Sequence, residues 1–525
     1  MDFHGSANEA SAVAKQQEVP NDILTAEGLE SPHGLSRSSL ASHILRGTAL
    51  YGIANLGDKV VSFFILIPLY ARFLSPAAYG IIALSDSAAQ FFVRLFSLSL
   101  DDSMRRLYYD HAHDPAVVRR YVSSVLWSVL GTVVIMAGVS LSLGPWLVTR
   151  FLPQTQLPFY PYVAFSLGGA IGAYLLLYRQ ILHQVRMEPG KYVVLSLVSF
   201  ALTAGFAIVF VVLLRWGAFG MLLGRLTAGL IIATITLIGL RHWLGGGWEW
   251  PFVKETIVLS LPLIPLYLTN YGLDMADRFI LALYRPVTEV GIYSLAYTFG
   301  KGMYLVSVSV SQAWSPLFFD LARGGDREKT RIGRLASSIG LLLIWIALAG
   351  TCLASLFVHL FLDARYHSAA SVIPLIIASF LFQSFYGIFI LSALQAKKTV
   401  YMLVSSAGAF LSNVALNFGL DGRWGMHGAA YANLFSYLVV ATLMYFFAQK
   451  LFPVPYERAK LLVALCTYLC ALALTQINVA RAFATPALIA SFLLGTTILL
   501  MIAGRDRAVL LQYLRRTIPF AGFAG

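Results

Sequence analysis

Tyr79-Gly80-Ile-Ile-Ala-Leu-Ser-Asp86-Ser-Ala-Ala-Gln90-Phe-Phe-Val-Arg94-Leu-Phe-Ser97-Leu-Ser-Leu-Asp101 is mostly apolar, yet charges recur in it at helical spacing. A hydrocarbon layer about 30 Å thick takes about 20 helical residues to cross, so the stretch is long enough to span a bilayer. Asp86, Gln90, Arg94, Ser97 and Asp101 stand at i, i+4, i+8, i+11 and i+15. At 100° and 1.5 Å per residue they form a polar stripe within about 80° of arc and about 22 Å long. A charge turned toward lipid costs at least ~2.5 kcal/mol, so this face looks onto partner helices or a polar cavity. A static bundle sealed by polar partners and a transporter with a wet interior both fit that requirement.

Working outward, apolar runs of similar length predict an all-α integral membrane protein with about fourteen spans. They cover 46–70, 79–101, 121–146, 160–182, 192–214, 219–240, 256–281, 290–316, 335–357, 371–395, 401–420, 428–449, 460–477 and 486–503. Only 12% of the 525 residues are charged and 58% are hydrophobic, against about 25% charged in an ordinary soluble domain. A bilayer must therefore replace water around most of the surface. The formal charge of +13 would suggest nucleic acid in a soluble protein. Here the cations sit mostly in short loops, and no nucleic-acid partner is expected. Of the 38 Lys and Arg, 26 fall on the side of the N-terminal tail and 8 on the other. That asymmetry places both termini in the cytoplasm. No loop is long enough for an extramembrane catalytic domain, so a non-enzyme is expected.

A weak internal repeat divides the chain. Arg72-Phe-Leu-Ser-Pro-Ala-Ala-Tyr-Gly80 parallels Arg285-Pro-Val-Thr-Glu-Val-Gly291, each with a proline, a short turn and a glycine opening the next helix. We read a cytoplasmic tail over 1–45, a six-helix lobe over 46–240, a connector over 241–255, a second lobe over 256–449, a further helix pair over 450–503 and a basic tail over 504–525. The two pseudo-symmetric lobes would enclose a central cavity and rock about it.

Candidate site residues follow from the faces. In the first span Asp58 and Lys59 are adjacent and diverge by about 100°; Asp58 fits either a helix lock or a coupling role. The seventh span carries Pro262 and Pro265, which favour a bend, then Asp274, Asp277 and Arg278. Asp274 and Arg278 stand at ion-pair spacing, while Asp277 and Arg278 also fit an outer-interface position. The eighth span puts Tyr293, Tyr297, Lys301 and Tyr304 on one face. Aligning Gly80 with Gly291 sets Lys301 opposite Gln90, with Arg94 one turn further, so each lobe offers a cation at similar depth. Rings suit sugar faces, and Arg and Lys suit phosphate. Arg225 in the sixth span fits phosphate contact or a structural pair.

Other polar features read more plainly. Ser379, Gln383, Tyr386, Asn413 and Asn417 are expected to join helices. Gly168-Gly169 with Gly172, and Gly220 with Gly224, read as close helix packing. Cys352, Cys466 and Cys470 read as small core residues, and Asp110-His-Ala-His-Asp114 as a solvated loop. No metal cluster, cofactor motif, P-loop or nucleophile motif is found.

The chain resembles the polysaccharide transporter, or O-antigen flippase, family of the multidrug/oligosaccharidyl-lipid/polysaccharide exporter superfamily. The likeness rests on Pro68-Leu-Tyr-Ala-Arg-Phe-Leu-Ser-Pro-Ala-Ala-Tyr-Gly80, Asp277-Arg-Phe-Ile-Leu281, Gly291-Ile-Tyr-Ser-Leu-Ala-Tyr297, Gln312 with Pro316, and Gly425-Met-His-Gly-Ala-Ala430. It implies a V-shaped pair of lobes in the bacterial cytoplasmic membrane, with the first, second, seventh and eighth helices around the cavity. It also implies alternating access carrying an undecaprenyl-pyrophosphate-linked oligosaccharide outward, with membrane lipids and polymerase or export machinery as partners. The resemblance supplies no catalytic motif, so the site residues are those of the face analysis: Lys59, Gln90, Arg94, Arg225, Tyr293, Tyr297, Lys301 and Tyr304 for substrate, and Asp58, Asp86, Asp274, Asp277 and Arg278 for gating or ion coupling. A multidrug cation antiporter of the same superfamily is the alternative, and a membrane-embedded glycan polymerase or glycosyltransferase a weaker one.

Overall fold

The computed structural model describes residues 57–151 and 157–476, with Leu493 and Thr496 beyond them. The tail calls over 1–45 and 504–525, residues 46–56 of the first span and nearly all of the fourteenth span lie outside the described residues. Among the described residues every regular element is helical. A π-helical turn, Ser62–Leu66, runs into α1 (Ile67–Phe73). Ser75 ends that segment and caps α2 (Pro76–Ser97), its hydroxyl accepting the Ala78 N–H at 3.1 Å. Pro76 follows at the first helical position, where its missing N–H costs nothing.

The second span is not one helix. Leu98 and Ser99 take φ of 50° and 52°, the left-handed region that costs an L-residue roughly 1–2 kcal/mol. A new helix, α3 (Leu100–Asp110), starts there. The stripe of α2 therefore stops at Ser97, and Asp101 belongs to the first turn of α3 instead. This corrects the continuous face expected from the sequence; neither position is a glycine, so nothing in the sequence announces the turn.

The chain continues through α4 (Pro115–Phe151), α5 (Ala164–Val185), α6 (Pro189–Ala207) and α7 (Gly217–Leu240). The glycine patterns act as read: a Cβ on Gly172 would meet the Gly229 Cα at 2.6 Å, so α5 and α7 touch backbone to backbone. The connector is strapped to α4. Trp127 Nε1 and Ser123 Oγ both reach the Leu244 carbonyl at 3.2 Å, and the Glu249 N–H reaches Ser124 at 2.9 Å. Then α8 (Trp250–Ser260) and α9 (Ile264–Tyr284) follow as a pair bent by 53°. The bend falls at Pro262 and Pro265, as the missing donors require.

The second half comprises α10 (Val287–Ala322), α11 (Lys329–Phe361), α12 (Ile373–Gln395), α13 (Val400–Trp424), α14 (Met426–Leu451) and α15 (Arg458–Gln476). Among the described residues ten helices are long and apolar enough to cross a membrane, or eleven with the bent pair. They correspond to the expected spans apart from the first, eighth and fourteenth. The eighth, α10, has 36 residues but is too polar to be among the ten.

Buried apolar residues form one large cluster centred on the second half that reaches Ile67, Leu84 and Ala88 of the first, and a separate one across α2 to α5 and α7. In α12, 16 of 23 residues are buried, whereas α6 buries 3 of 19; α12 is a core element and α6 a lipid-facing one. Cys352 is buried, but Cys466 and Cys470 are exposed on α15, which corrects their reading as core residues.

Candidate functional site

The two halves meet at the repeated glycines. A Cβ on Gly80 would strike the Val287 carbonyl and lie 3.1 Å from the Gly291 nitrogen. A Cβ on Gly291 would strike the Pro76 carbonyl in turn. A second closure joins α3 to the bent pair: the Tyr267 hydroxyl of α9 donates to Asp102, and the Ser103 and Ser260 hydroxyls of α3 and α8 lie 2.7 Å apart. Between these closures two cavities open along α2, α9 and α10. One of about 410 Å³ is lined by Arg94, Tyr267, Asn270, Asp274, Lys301 and Tyr304, with Gln383, Tyr386 and Tyr437 from the second half. The other, about 450 Å³, is lined by Asp86, Gln90, Arg225, Arg278, Tyr297 and Lys301 among others. Lys301 faces both.

The charges in this region pair differently from the sequence expectation. Lys301 Nζ lies 2.8 Å from Asp274 Oδ2, and the Tyr297 hydroxyl donates to Asp274 Oδ1 at 2.5 Å. Arg278 does not pair with the Asp274 carboxylate; it donates to the Asp274 carbonyl at 2.7 Å and to Asp277 Oδ1 at 3.2 Å. Its guanidinium lies 4.1 Å from the Tyr297 ring centre. Asp277 is 0% and Arg278 6% exposed, so the outer-interface reading of this pair is wrong. The Tyr293 hydroxyl holds Asp277 at 2.5 Å and its ring is fully buried. Tyr293 thus serves the network and lines neither cavity. These contacts knit α9 to α10.

In the first half Arg225 pairs with Asp86, and Ser166 donates to the same carboxylate at 2.6 Å. Gln90 is exposed to the 450 Å³ cavity. Arg94 faces the 410 Å³ cavity, and its guanidinium has no hydrogen-bonded or ion-paired partner among the described residues. Lys59 is not brought to the site. It pairs with its own neighbour Asp58 at 3.7 Å, is half exposed, and lines neither cavity. Lys301, Arg225 and Arg278 are thus each neutralised by a carboxylate, and among the described residues the free cation of the chamber is Arg94.

Sequence reasoning missed part of the lining. Tyr267, Tyr271 and Tyr437 line the 410 Å³ cavity, as do Gln383 and Tyr386, which read mainly as helix glue. It also missed Asp421, which lies just past the expected end of the eleventh span but inside α13. Asn413, Asn417 and Asp421 stand one turn apart, all at 0% exposure, with Asn433 of α14 equally buried. Both Asp421 carboxylate oxygens, Asn417 Oδ1 and Asn433 Oδ1 lack a hydrogen-bond partner. The amide nitrogens Asn413 Nδ2 and Asn433 Nδ2 also lack a partner, so the cluster mixes unpaired donors and acceptors. Among the described residues no group of three or more His, Cys, Asp and Glu could hold a metal. His111 is not simply solvated: it lies 3.1 Å from Glu255 and packs on Tyr121 and Phe252.

Residues 44–322 match the polysaccharide biosynthesis protein family, more than half of the chain. The chain belongs to this family. No curated protein matches it. Among solved structures it is similar to the lipid II flippase MurJ in an inward closed conformation, with TM-score 0.65 at 14% identity, covering 88% of this chain and all of that one. It is also similar to a point mutant of the Vibrio cholerae MATE transporter VcmN, with TM-score 0.54 at 15% identity over 79% of this chain and 97% of that one. An inward-facing multidrug resistance MATE family transporter of the MOP superfamily gives TM-score 0.54 at 14% identity, covering 76% and 93%. This family member is a multi-pass membrane protein with the fold of those transporters.

Proposed function

We propose that this family member is a flippase that moves a polyprenyl-pyrophosphate-linked oligosaccharide across the bacterial cytoplasmic membrane by alternating access of two lobes, 46–240 and 256–449. The observation that carries this reading is the 410 Å³ cavity, where Arg94 of the first half and Lys301 of the second face a common space among tyrosines and amides. Arg94 is free to grip a phosphate bidentately. A pyrophosphate seated on it competes with Asp274 for Lys301. Asp274, released, takes up a proton, so arrival of the substrate and charge movement in the α9–α10 network are linked.

The lipid tail has its own place. A groove of about 280 Å³ between the π-helical turn, α10 and α11 is lined by Phe63, Phe64, Phe299, Met303, Leu353 and Phe357, with Phe64 and Leu353 exposed at its edge. It accepts an isoprenoid chain beside the cavity, keeping the chain out of the polar chamber. The multidrug-antiporter reading fits the fold, but an unpaired cation in the chamber repels organic cations rather than attracting them.

The test is complementation of a deletion strain with Arg94→Ala. Expected are accumulation of the lipid-linked intermediate, loss of the surface polymer and an unchanged amount of protein in the membrane. Normal surface polysaccharide in that strain overturns the reading, and resistance to cationic drugs that the wild-type gene restores and Arg94→Ala does not would favour the antiporter instead.

A further inference from the structure

A third cavity, about 600 Å³, lies away from the central chamber at the loop ends of α4, α5, α6 and α7. Arg119, Arg179, Arg186 and Lys191 line it, joined by His183 and His242, and among the described residues no carboxylate does. It opens on the side where the Lys and Arg of the chain concentrate. The nearest acid, Glu188, is shared by three donors: His183 at 2.7 Å, Lys191 at 3.1 Å and Arg186 at 3.2 Å. Burial pushes the Glu188 carboxyl up, and its hydrogen bonds to His183 and Lys191 with the Arg186 charge more than reverse this, holding it below its ordinary value. One carboxylate cannot neutralise four cations. Arg179 is held in place by donating to the Ile235 carbonyl at 2.7 Å, and Arg119 has no ion-paired partner among the described residues.

The other half of the same face is built differently. Lys329 pairs with Asp326 at 2.7 Å, Arg331 with Glu328 at 3.6 Å, and Lys460 with Glu457 at 3.0 Å. Those three cations each have a carboxylate of their own, whereas around the cavity Glu188 is shared by three donors. Trp243 closes one wall, with Arg186 at 5.6 Å over its ring. Beyond the rim the surface turns apolar, with Val194, Leu197 and Val198 of α6 and Ile238 of α7 exposed. A ligand that fills both features carries a phosphate joined to hydrocarbon. Basic pockets between membrane helices on the cation-rich side take such headgroups.

We propose that this cavity binds the phosphate headgroup of an anionic glycerophospholipid, whose acyl chains lie along α6 and α7. The site is separate from the transported substrate and does not depend on its identity. Purified full-length protein in detergent is titrated with radiolabelled phosphatidylglycerol, then with phosphatidylcholine, and with phosphatidylglycerol against inorganic phosphate. Wild type prefers phosphatidylglycerol, and millimolar inorganic phosphate leaves that binding in place. The Arg119→Gln/Lys191→Gln variant binds it about tenfold more weakly. Lys397→Gln/Lys398→Gln, an equal charge change on the same face of the second half, leaves it unchanged. No preference over phosphatidylcholine, displacement by inorganic phosphate, or an equal loss in the Lys397/Lys398 variant each overturns the proposal. The wild-type arms need no variant, so a poorly folded double variant does not shield the idea. Retained binding in Arg94→Ala separates this site from the central cavity.

Discussion

The helices opened by Gly80 and Gly291 start alike and end their charge accounts differently. In α10, Lys301 is drawn into a closed network with Asp274 and Tyr297, beside the buried Asp277–Arg278 pair that Tyr293 anchors. In α2, Asp86 is neutralised from another helix by Arg225, and the Arg94 guanidinium faces the cavity without an ion-paired partner among the described residues. The second half thus resembles a structural lock and the first an open binding face. A repeated backbone does not carry repeated electrostatics. Rigid charge pairing on one side lets the other side present an unsatisfied cation without loosening the whole interface.

The sharpest way to break this contrast is Arg278→Ala. It strands Asp277, which is fully buried, and breaking a buried pair by removing one partner costs about 3–5 kcal/mol. Expected is a steep fall in folded protein, read as membrane-fraction abundance and thermal unfolding in detergent. Arg225→Ala strands Asp86, whose side chain is 33% exposed to the cavity, and should fall much less. Equal losses would show that both halves are locks.

Next in size is the glycine contact. Gly291→Val places a side chain on the Pro76 carbonyl, and such overpacking costs typically ~1–3 kcal/mol. The closure near Gly80 then opens, and crosslinking between cysteines placed at Ala78 and Val287 should drop relative to the parent pair. Unchanged crosslinking would mean that the repeated glycines do not hold the halves together.

What could be read from the residues, and what could not, follows the same division. Helical spacing brought Asp86, Gln90 and Arg94 to the chamber because that rule operates within one helix, and the Gly80–Gly291 parallel marked a real contact. Family and helical membrane fold were also legible, through apolar run length and motif order. Pairing partners were not. Asp274 meets Lys301 on another helix rather than Arg278 one turn away, since depth and rotamer decide among several reachable cations. The left-handed turn at Leu98 and Ser99 carries no glycine to betray it. Asp421 was lost to a boundary set one residue short.

A smaller effect sharpens the comparison from the other side. Asp274→Asn removes the acceptor of Lys301 and leaves two free cations on the 410 Å³ cavity. Binding of a pyrophosphate probe should tighten about tenfold, ~1.4 kcal/mol, and Arg94→Ala in that background should remove most of the gain. A double-mutant cycle that gives strict additivity would place the two cations on separate sites.

The smallest effect is expected at Lys59. Its contact with Asp58 is half exposed and 3.7 Å long, and exposed pairs contribute about 0–1 kcal/mol. It also lies off both cavities. Lys59→Ala should therefore keep polymer export within about twofold of the parent, since surface substitutions away from special features stay within ±0.5 kcal/mol. Loss of export comparable to that of Arg94→Ala would place a cation of the first helix on the substrate path and end the view of Arg94 as the free charge of the chamber.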